Sequence, residues 1–377
     1  MKTKNNPHKE ICNDVVLNLS ADVVEDMLEL NSAPNVTYGD RTIVCHLLNA
    51  SASNTSISNV SDLCEDAPCE GTVRHRLRGL ELDTFQENLN EQLKIHAKKT
   101  IFNKEIIVAI DFNNIPFYGT EKNPEDTIRT KPKDGTSHFY AYASIYVILN
   151  NKCYTLAVKY IKKGDTLKDT VDFLLQEVQS NDFKIKRAYL DKEFYTVEVI
   201  NYLMYNEIGF IIPCVNRGSS GGIRKLLYGR KSYSTEYTMC SKESEATFQV
   251  NIVVKYSKGK FNKKGIRYFA YAVYNVDISV RSTFNEYRKR FGIESSYRSI
   301  NQAKIRTSTK NPVLKLLYIG LSFILVNIWI YIQWTCVSIH RKGGRRKLKW
   351  GFKTMLKQIN RITEEILGFG TRIILKT

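Results

Sequence analysis

Residues 105–119, EIIVAIDFNNIPFYG, and residues 186–191, KRAYLD, decide the fold. In the first stretch, Ile106 to Ile110 is an unbroken apolar run that ends in Asp111. That is the pattern of a buried strand with a carboxylate at its C-terminal edge. In the second, Lys186 to Leu190 reads as another strand and ends in Asp191. Between them, Tyr140 to Leu149 and Tyr154 to Tyr160 form a predicted hairpin around Asn150-Asn151-Lys152. Asp165 or Thr166 then caps a helix whose apolar positions, Leu167, Val171, Leu174, Leu175 and Val178, fall at helical spacing. A helix around Val197 to Asn206 and a strand from Phe210 to Pro213 complete the series.

The order is strand, strand, strand, helix, strand, helix, strand, which is that of a ribonuclease-H-like α/β core. By fold analogy, the first and fourth strands of such a core are neighbours, so Asp111 and Asp191 can face one another. After Pro213 the core is interrupted by Arg217-Gly-Ser-Ser-Gly-Gly. Phe248 to Tyr256 and Tyr268 to Val276 then read as an inserted β-hairpin or small sheet. They flank a loop, Ser257 to Gly265, that carries Lys258, Lys260, Lys263 and Lys264. The expected fold class is α/β: a mixed sheet with flanking helices, a β-rich insertion, and a helical N-terminal region. The expected segments are 1–100 (helical), 101–213 (first part of the core), 214–280 (basic β-rich insertion), 281–340 (core helices) and 341–377 (basic tail).

In the N-terminal region, Ser20 is expected to open a short amphipathic helix through Val23, Val24, Met27 and Leu28, and Asn49 to Ser61 reads as a loop. Asp83 caps a second helix bearing Phe85, Leu89 and Leu93, and the basic segment Thr72 to Arg78 lies between the two. A small DNA-recognition module and a plain helical cap on the core both fit this pattern.

The chain has 377 residues and a formal charge of +18, unevenly spread. Residues 1–70 carry −7, whereas residues 213–267 and 338–377 carry +9 each. Two separate basic blocks suit an extended polyanion better than a small acidic ligand, with nucleic acid first and an anionic membrane second. Eight cysteines are too few for a disulfide scaffold, and the start of the chain has no secretory pattern, so a reducing, cytoplasmic location is expected. Leu316 to Ile339 carries no charge over a length that could cross a bilayer. Asn327 and Gln333 within it favour a helix buried in a large core over a membrane anchor.

Paired carboxylates on rigid elements suit divalent metals. Two ions about 3.5–4 Å apart can activate an attacking oxygen and stabilise a leaving one in phosphodiester chemistry. Mg²⁺ prefers oxygen ligands, and Asp111 and Asp191 supply two carboxylates. Glu294 is the best third. In FNEYRKRFGIESSYR (284–298), Tyr287, Arg290 and Glu294 sit at i, i+3 and i+7, within about 60° of one another on a helix. Arg290 can grip a phosphate or orient Glu294, and Tyr287 packs beside it. Glu193 is a fallback ligand.

VAIDFNNIPFYG (108–119), AYLDKEFYTVEVINYL (188–203) with GFIIPCVNRG (209–218), and the Tyr-x2-Arg-x3-Glu spacing of Tyr287, Arg290 and Glu294 together resemble transposases of the insertion-sequence-4 superfamily, in its archaeal and bacterial branch. The resemblance covers roughly residues 100 to 340. It implies a ribonuclease-H-like fold with a β-rich insertion before the catalytic Glu, two Mg²⁺ or Mn²⁺ ions, and cut-and-paste movement of an element bounded by terminal inverted repeats. It also implies a hydrophobic helix after the catalytic Glu. The expected partners are duplex DNA, both terminal repeats and target, and a second copy of the chain in a synaptic dimer at the nucleoid, with no membrane. Lys304, Arg298, the four loop lysines, Arg345 and Arg346 are the expected DNA contacts. Two departures stand out. The family places a Lys seven residues after the Glu, where this chain has Asn301; Lys304 can substitute if the helix continues. The insertion contains no Trp, so a hairpin intermediate does not follow.

Cys45-His46, Cys64, Cys69 and His75 lack the paired knuckles of a zinc site, and free thiols are expected. A ribonuclease-H-like nuclease without strand transfer, and a DNA-binding protein with this fold but no activity, are the competing functions.

Overall fold

The computed structural model describes residues 12–33, 35–101, 104–119, 124–149, 153–216, 220–256, 265–340, 346–347 and 350–370. Residues 124, 293–295, 339–340 and 346–347 are described by their backbone only. The chain begins with helices α1 (Asn13–Leu28), α2 (Asp40–Ala52), α3 (Ile57–Leu63), α4 (Glu70–Arg76) and α5 (Leu82–Ile101). Strands β1 (Glu105–Pro116), β2 (Ile128–Lys133), β3 (Thr136–Ile148) and β4 (Thr155–Ile161) follow, then α6 (Leu167–Gln179), β5 (Lys184–Leu190), α7 (Val197–Tyr205) and β6 (Phe210–Pro213). Next come β7 (Tyr233–Cys240), β8 (Glu245–Tyr256) and β9 (Ile266–Tyr274). Helices α8 (Val280–Tyr287), α9 (Gly292–Ile300), α10 (Pro312–Ile332) and α11 (Phe352–Ile366) close the chain. Two compact units result, one of residues 103–294 and one that joins residues 1–102 to 295–377.

The first unit is a mixed sheet in the order β2-β3-β1-β5-β6-β9-β8-β7, with β4 also paired to β3. β1, β5 and β6 run parallel, and β3 and β9 flank them antiparallel. The parallel strands are buried, as their apolar runs require: Ile106, Val108, Ala109, Ile110, Ala188, Tyr189 and Leu190 are all inaccessible to water. Thr166 is the residue that caps α6, accepting a hydrogen bond from the Asp169 amide, and Thr196 caps α7 through the Val199 amide. Gly209 enters β6 where only glycine fits, since a Cβ there would lie 2.7 Å from the Asn275 carbonyl oxygen.

Two expectations about this sheet need correction. Asp111 does not end its strand: β1 continues to Pro116 along β3 after its pairing with β5 has stopped at Ile110. The insertion is no separate sheet. It has a third strand, β7, and β9 pairs with β6, so the insertion widens the core sheet. Edge-strand alternation hid β7, whose residues are alternately half-buried and exposed.

In the helical unit, α10 is buried nearly all round among α1, α2, α5 and α11. It is long and apolar enough to cross a membrane, yet it forms the centre of this unit. Asn327, the polar residue that marked it, donates to the Leu93 carbonyl of α5 at 3.0 Å. Gly320 lets α5 approach, because a Cβ there would sit 3.0 Å from Leu89 Cδ2. α11 is amphipathic and lays Phe352, Met355, Leu356 and Ile359 inward.

Two more corrections fall here. Ser20 lies within α1, and its hydroxyl donates to the Val16 carbonyl at 2.8 Å, so it does not cap the helix. The stretch Asn49 to Ser61 is mostly helical. Asn49 donates to Thr363 at 3.0 Å and Ser51 to the Ala303 carbonyl, tertiary bonds that override the loop-like composition.

Candidate active site

The site is built by strand register. Ile110 pairs with Leu190 in the parallel β1–β5 ladder, so Asp111 and Asp191 occupy the next position on adjacent strands. Neighbouring strands lie about 4.8 Å apart, close enough for the two carboxylates to act on one centre. Asp191 begins a short 3-10 turn, Lys192–Phe194, and Phe194 stacks on Phe112 with centroids 4.7 Å apart. This ring pair fixes the backbone just beyond each carboxylate.

Arg290 bridges them. Its Nη1 lies 3.3 Å from Asp111 Oδ2 and its Nη2 lies 3.5 Å from Asp191 Oδ1. The guanidinium is buried, with 8% of the side chain exposed, so it is a charge held out of water. Nη1 is within ion-pair range of Asp111 but not aligned to donate a hydrogen bond, and Nε meets no acceptor among the described residues. Arg290 lies in a 3-10 turn, Arg288–Phe291, between α8 and α9. Tyr287 anchors that turn from one side, donating to the Leu190 carbonyl at 3.1 Å. Tyr146 anchors it from the other, donating to the Arg290 carbonyl at 2.9 Å.

Electrostatics follow from this crowding. Burial pushes the Asp111 carboxyl up to about 6, despite the attraction of Arg290, and the carboxylates of Asp191 and Glu193 add to the rise. Arg290 is held above its ordinary value: burial opposes its charge, but Tyr287, Asp111 and Asp191 outweigh it. The Tyr287 hydroxyl is also raised, first by burial. Two carboxylates that repel one another in a half-buried pocket, with oxygen donors only, are chemically suited to a divalent cation. Among the described residues no group of three or more His, Cys, Asp or Glu is placed to hold a metal. Glu294 lies on α9, one helical turn beyond Arg290, but its side chain falls outside the described residues.

The remaining expected contacts are scattered. Arg298 is exposed in the last turn of α9. Lys304 does not share that helix, because α9 stops at Ile300 and a turn follows; Asn54 holds this segment by donating to the carbonyls of Asn301 and Lys304. Lys258, Lys260, Lys263, Lys264 and Arg345 lie outside the described residues, and Arg346 is described only as backbone, in a two-residue pairing with His340. Cys45 and Cys64 are buried thiols, Cys69 is exposed, and Glu193 sits in the turn after Asp191.

Sequence reasoning missed Tyr146 and Tyr189. Tyr189 donates to Glu286 at 2.9 Å and so ties β5 to α8. The signal is period-2 alternation combined with register. Ala109 pairs with both Tyr146 and Tyr189, which puts both rings on the Asp111 face. Without the register, neither can be assigned a side.

No family model matches the chain, and no curated protein resembles it in sequence. Its structure is similar to that of a piggyBac transposase in a synaptic complex with hairpin DNA, at 11% identity and a TM-score of 0.58. The similarity spans 95% of this chain and 81% of that one. At such low identity the likeness speaks to fold alone: this chain has a central mixed sheet flanked by helices, compatible with a ribonuclease-H-like fold.

Proposed function

We propose that the chain is a transposase of the insertion-sequence-4 type, which cleaves duplex DNA at the terminal repeats of a mobile element and joins those ends to a target. The reading rests on one observation: strand register sets Asp111 and Asp191 side by side under the buried guanidinium of Arg290. Asp111, Asp191 and Glu294 would hold two Mg²⁺ or Mn²⁺ ions, which supply activation of an attacking oxygen and stabilisation of a leaving one. The protein's own part is positional. β1 and β5 hold the carboxylates at a fixed spacing, while Tyr287 and Tyr146 pin the turn that carries Arg290. Arg290 supplies a permanent charge and an Nε donor with no acceptor among the described residues, both suited to a phosphate oxygen. Two ends must be cut in concert, so a homodimer is the working assembly, acting at the nucleoid in the cytoplasm.

The test uses the full chain, Mg²⁺ and DNA bearing the element's terminal repeats. Asp111→Asn, Asp191→Asn and Glu294→Ala should each abolish cleavage while DNA binding survives. Cleavage by Glu294→Ala would remove Glu294 from the site. Cleavage without joined products would establish a nuclease instead, and binding with no metal-dependent nicking a non-enzymatic DNA-binding protein.

A further inference from the structure

The helical unit contains an open cleft of about 390 Å³, lined by the C-terminal end of α2, the turn after α9 and the first half of α11. Its wall includes Asn54, Asn301, Gln302, Lys353 and Lys357, and no acidic side chain among the described residues. Lys353 and Lys357 are exposed and four residues apart, so they stand on one face of α11 about 6 Å apart along its axis. Neither has an ion-pair partner among the described residues. Asn54, itself in the left-handed region at φ 53°, fixes a third cation at the rim. Its Oδ1 accepts from Arg306 Nε at 3.3 Å and Nη2 at 3.1 Å. A neutral amide oxygen orients the guanidinium without cancelling its charge, and Arg306 meets no carboxylate among the described residues. Arg361, one turn further along α11, differs: its Nε lies 3.4 Å from Glu365.

We infer that this cleft is a nucleic-acid backbone site, in which Lys353, Lys357 and Arg306 contact successive phosphodiester groups. Three cations with no carboxylate partner among the described residues, beside a hollow with no acidic residue in its described lining, match a polyanion with regularly spaced charge, and the Asn301 and Gln302 side-chain amides in the wall can donate to phosphate oxygens. The cleft reads no base sequence; it grips the DNA backbone with residues of the helical unit alone. This rests on the chain being a DNA-processing protein, yet the two readings fail separately, because binding can be measured in EDTA, where no cleavage occurs.

The experiment is fluorescence anisotropy of the full chain with a duplex of arbitrary sequence, in EDTA, across a salt series. Lys353→Ala/Lys357→Ala should weaken binding about tenfold at low salt and reduce the slope of log affinity against log salt by about two, one per phosphate contact. Arg361→Ala, on the same helix but already paired, should stay within about twofold of the parent. Circular dichroism checks that the double variant keeps its helices; if it does not, Lys353→Gln/Lys357→Gln takes its place. An unchanged salt slope overturns the proposal. So does a double variant that loses binding to phosphatidylserine vesicles while keeping its affinity for DNA.

Discussion

The strand ends at Asp111 and Asp191 and the helix α10 solve opposite physical problems. The first gathers like charges in a half-buried place and holds them with one guanidinium, and burial there pushes the Asp111 carboxyl up. The second removes a long apolar helix from water and satisfies its few polar atoms with single hydrogen bonds, such as Asn327 to Leu93. Buried polar groups are thus satisfied one by one in the helical unit, whereas at the strand ends like charges are kept together beside a single guanidinium.

The largest effect that can break this comparison is on activity. Asp191→Asn should lower Mg²⁺-dependent cleavage at least about a thousandfold, on the order of 4 kcal/mol of barrier. It should also leave the melting temperature within a few degrees, because it removes one of two repelling carboxylates. A melting temperature that falls sharply would mean that the pair is structural. Next, Leu321→Ala on α10, where the side chain is inaccessible, should cost about 3 kcal/mol in urea unfolding. A loss under about 1 kcal/mol would show that α10 is not the centre of its unit.

A smaller effect comes from pH. His96 is buried on α5, stacks on Tyr331 at 4.5 Å, and neither ring nitrogen has a hydrogen-bond partner among the described residues. Burial, helped by the Lys99 charge, pushes it down to about 4, and burial also lowers His46. The folded state thus keeps His96 neutral while the unfolded chain protonates it near 6.5. Between those values the unfolded state binds more protons, so stability is lost as pH falls from about 6.5 toward 4, by up to about 3 kcal/mol. His96→Phe should flatten that part of the unfolding profile; an unchanged profile would exonerate His96. The smallest effect is at a cap: Thr196→Ala removes the bond to the Val199 amide behind Asp191 and should cost about 1 kcal/mol.

Much of the sheet was legible because burial leaves its mark on composition. Ile106 to Ile110 is an apolar run followed by Asp111, Ala188 to Leu190 is a shorter one followed by Asp191, and both lie in strands that pair as neighbours. The apolar helix was legible for the same reason. The N-terminal helices were misread because Asn49, Ser51 and Ser20 look like loop or cap residues until their tertiary or local acceptors are known. The strand β7 was missed because an edge strand buries too little to leave a pattern.

For the site, the sequence marks Asp111 and Asp191 as carboxylates that follow strand-like segments, and spaces Tyr287 and Arg290 three residues apart. Only the tertiary structure decided that Arg290 bridges both carboxylates, that Tyr146 holds it from β3, and that α9 ends before Lys304. The reason is physical. Periodicity records which side chains leave water, a local property written into composition, whereas the distance between charged groups depends on strand register and on where a helix stops, which no stretch of chain carries alone.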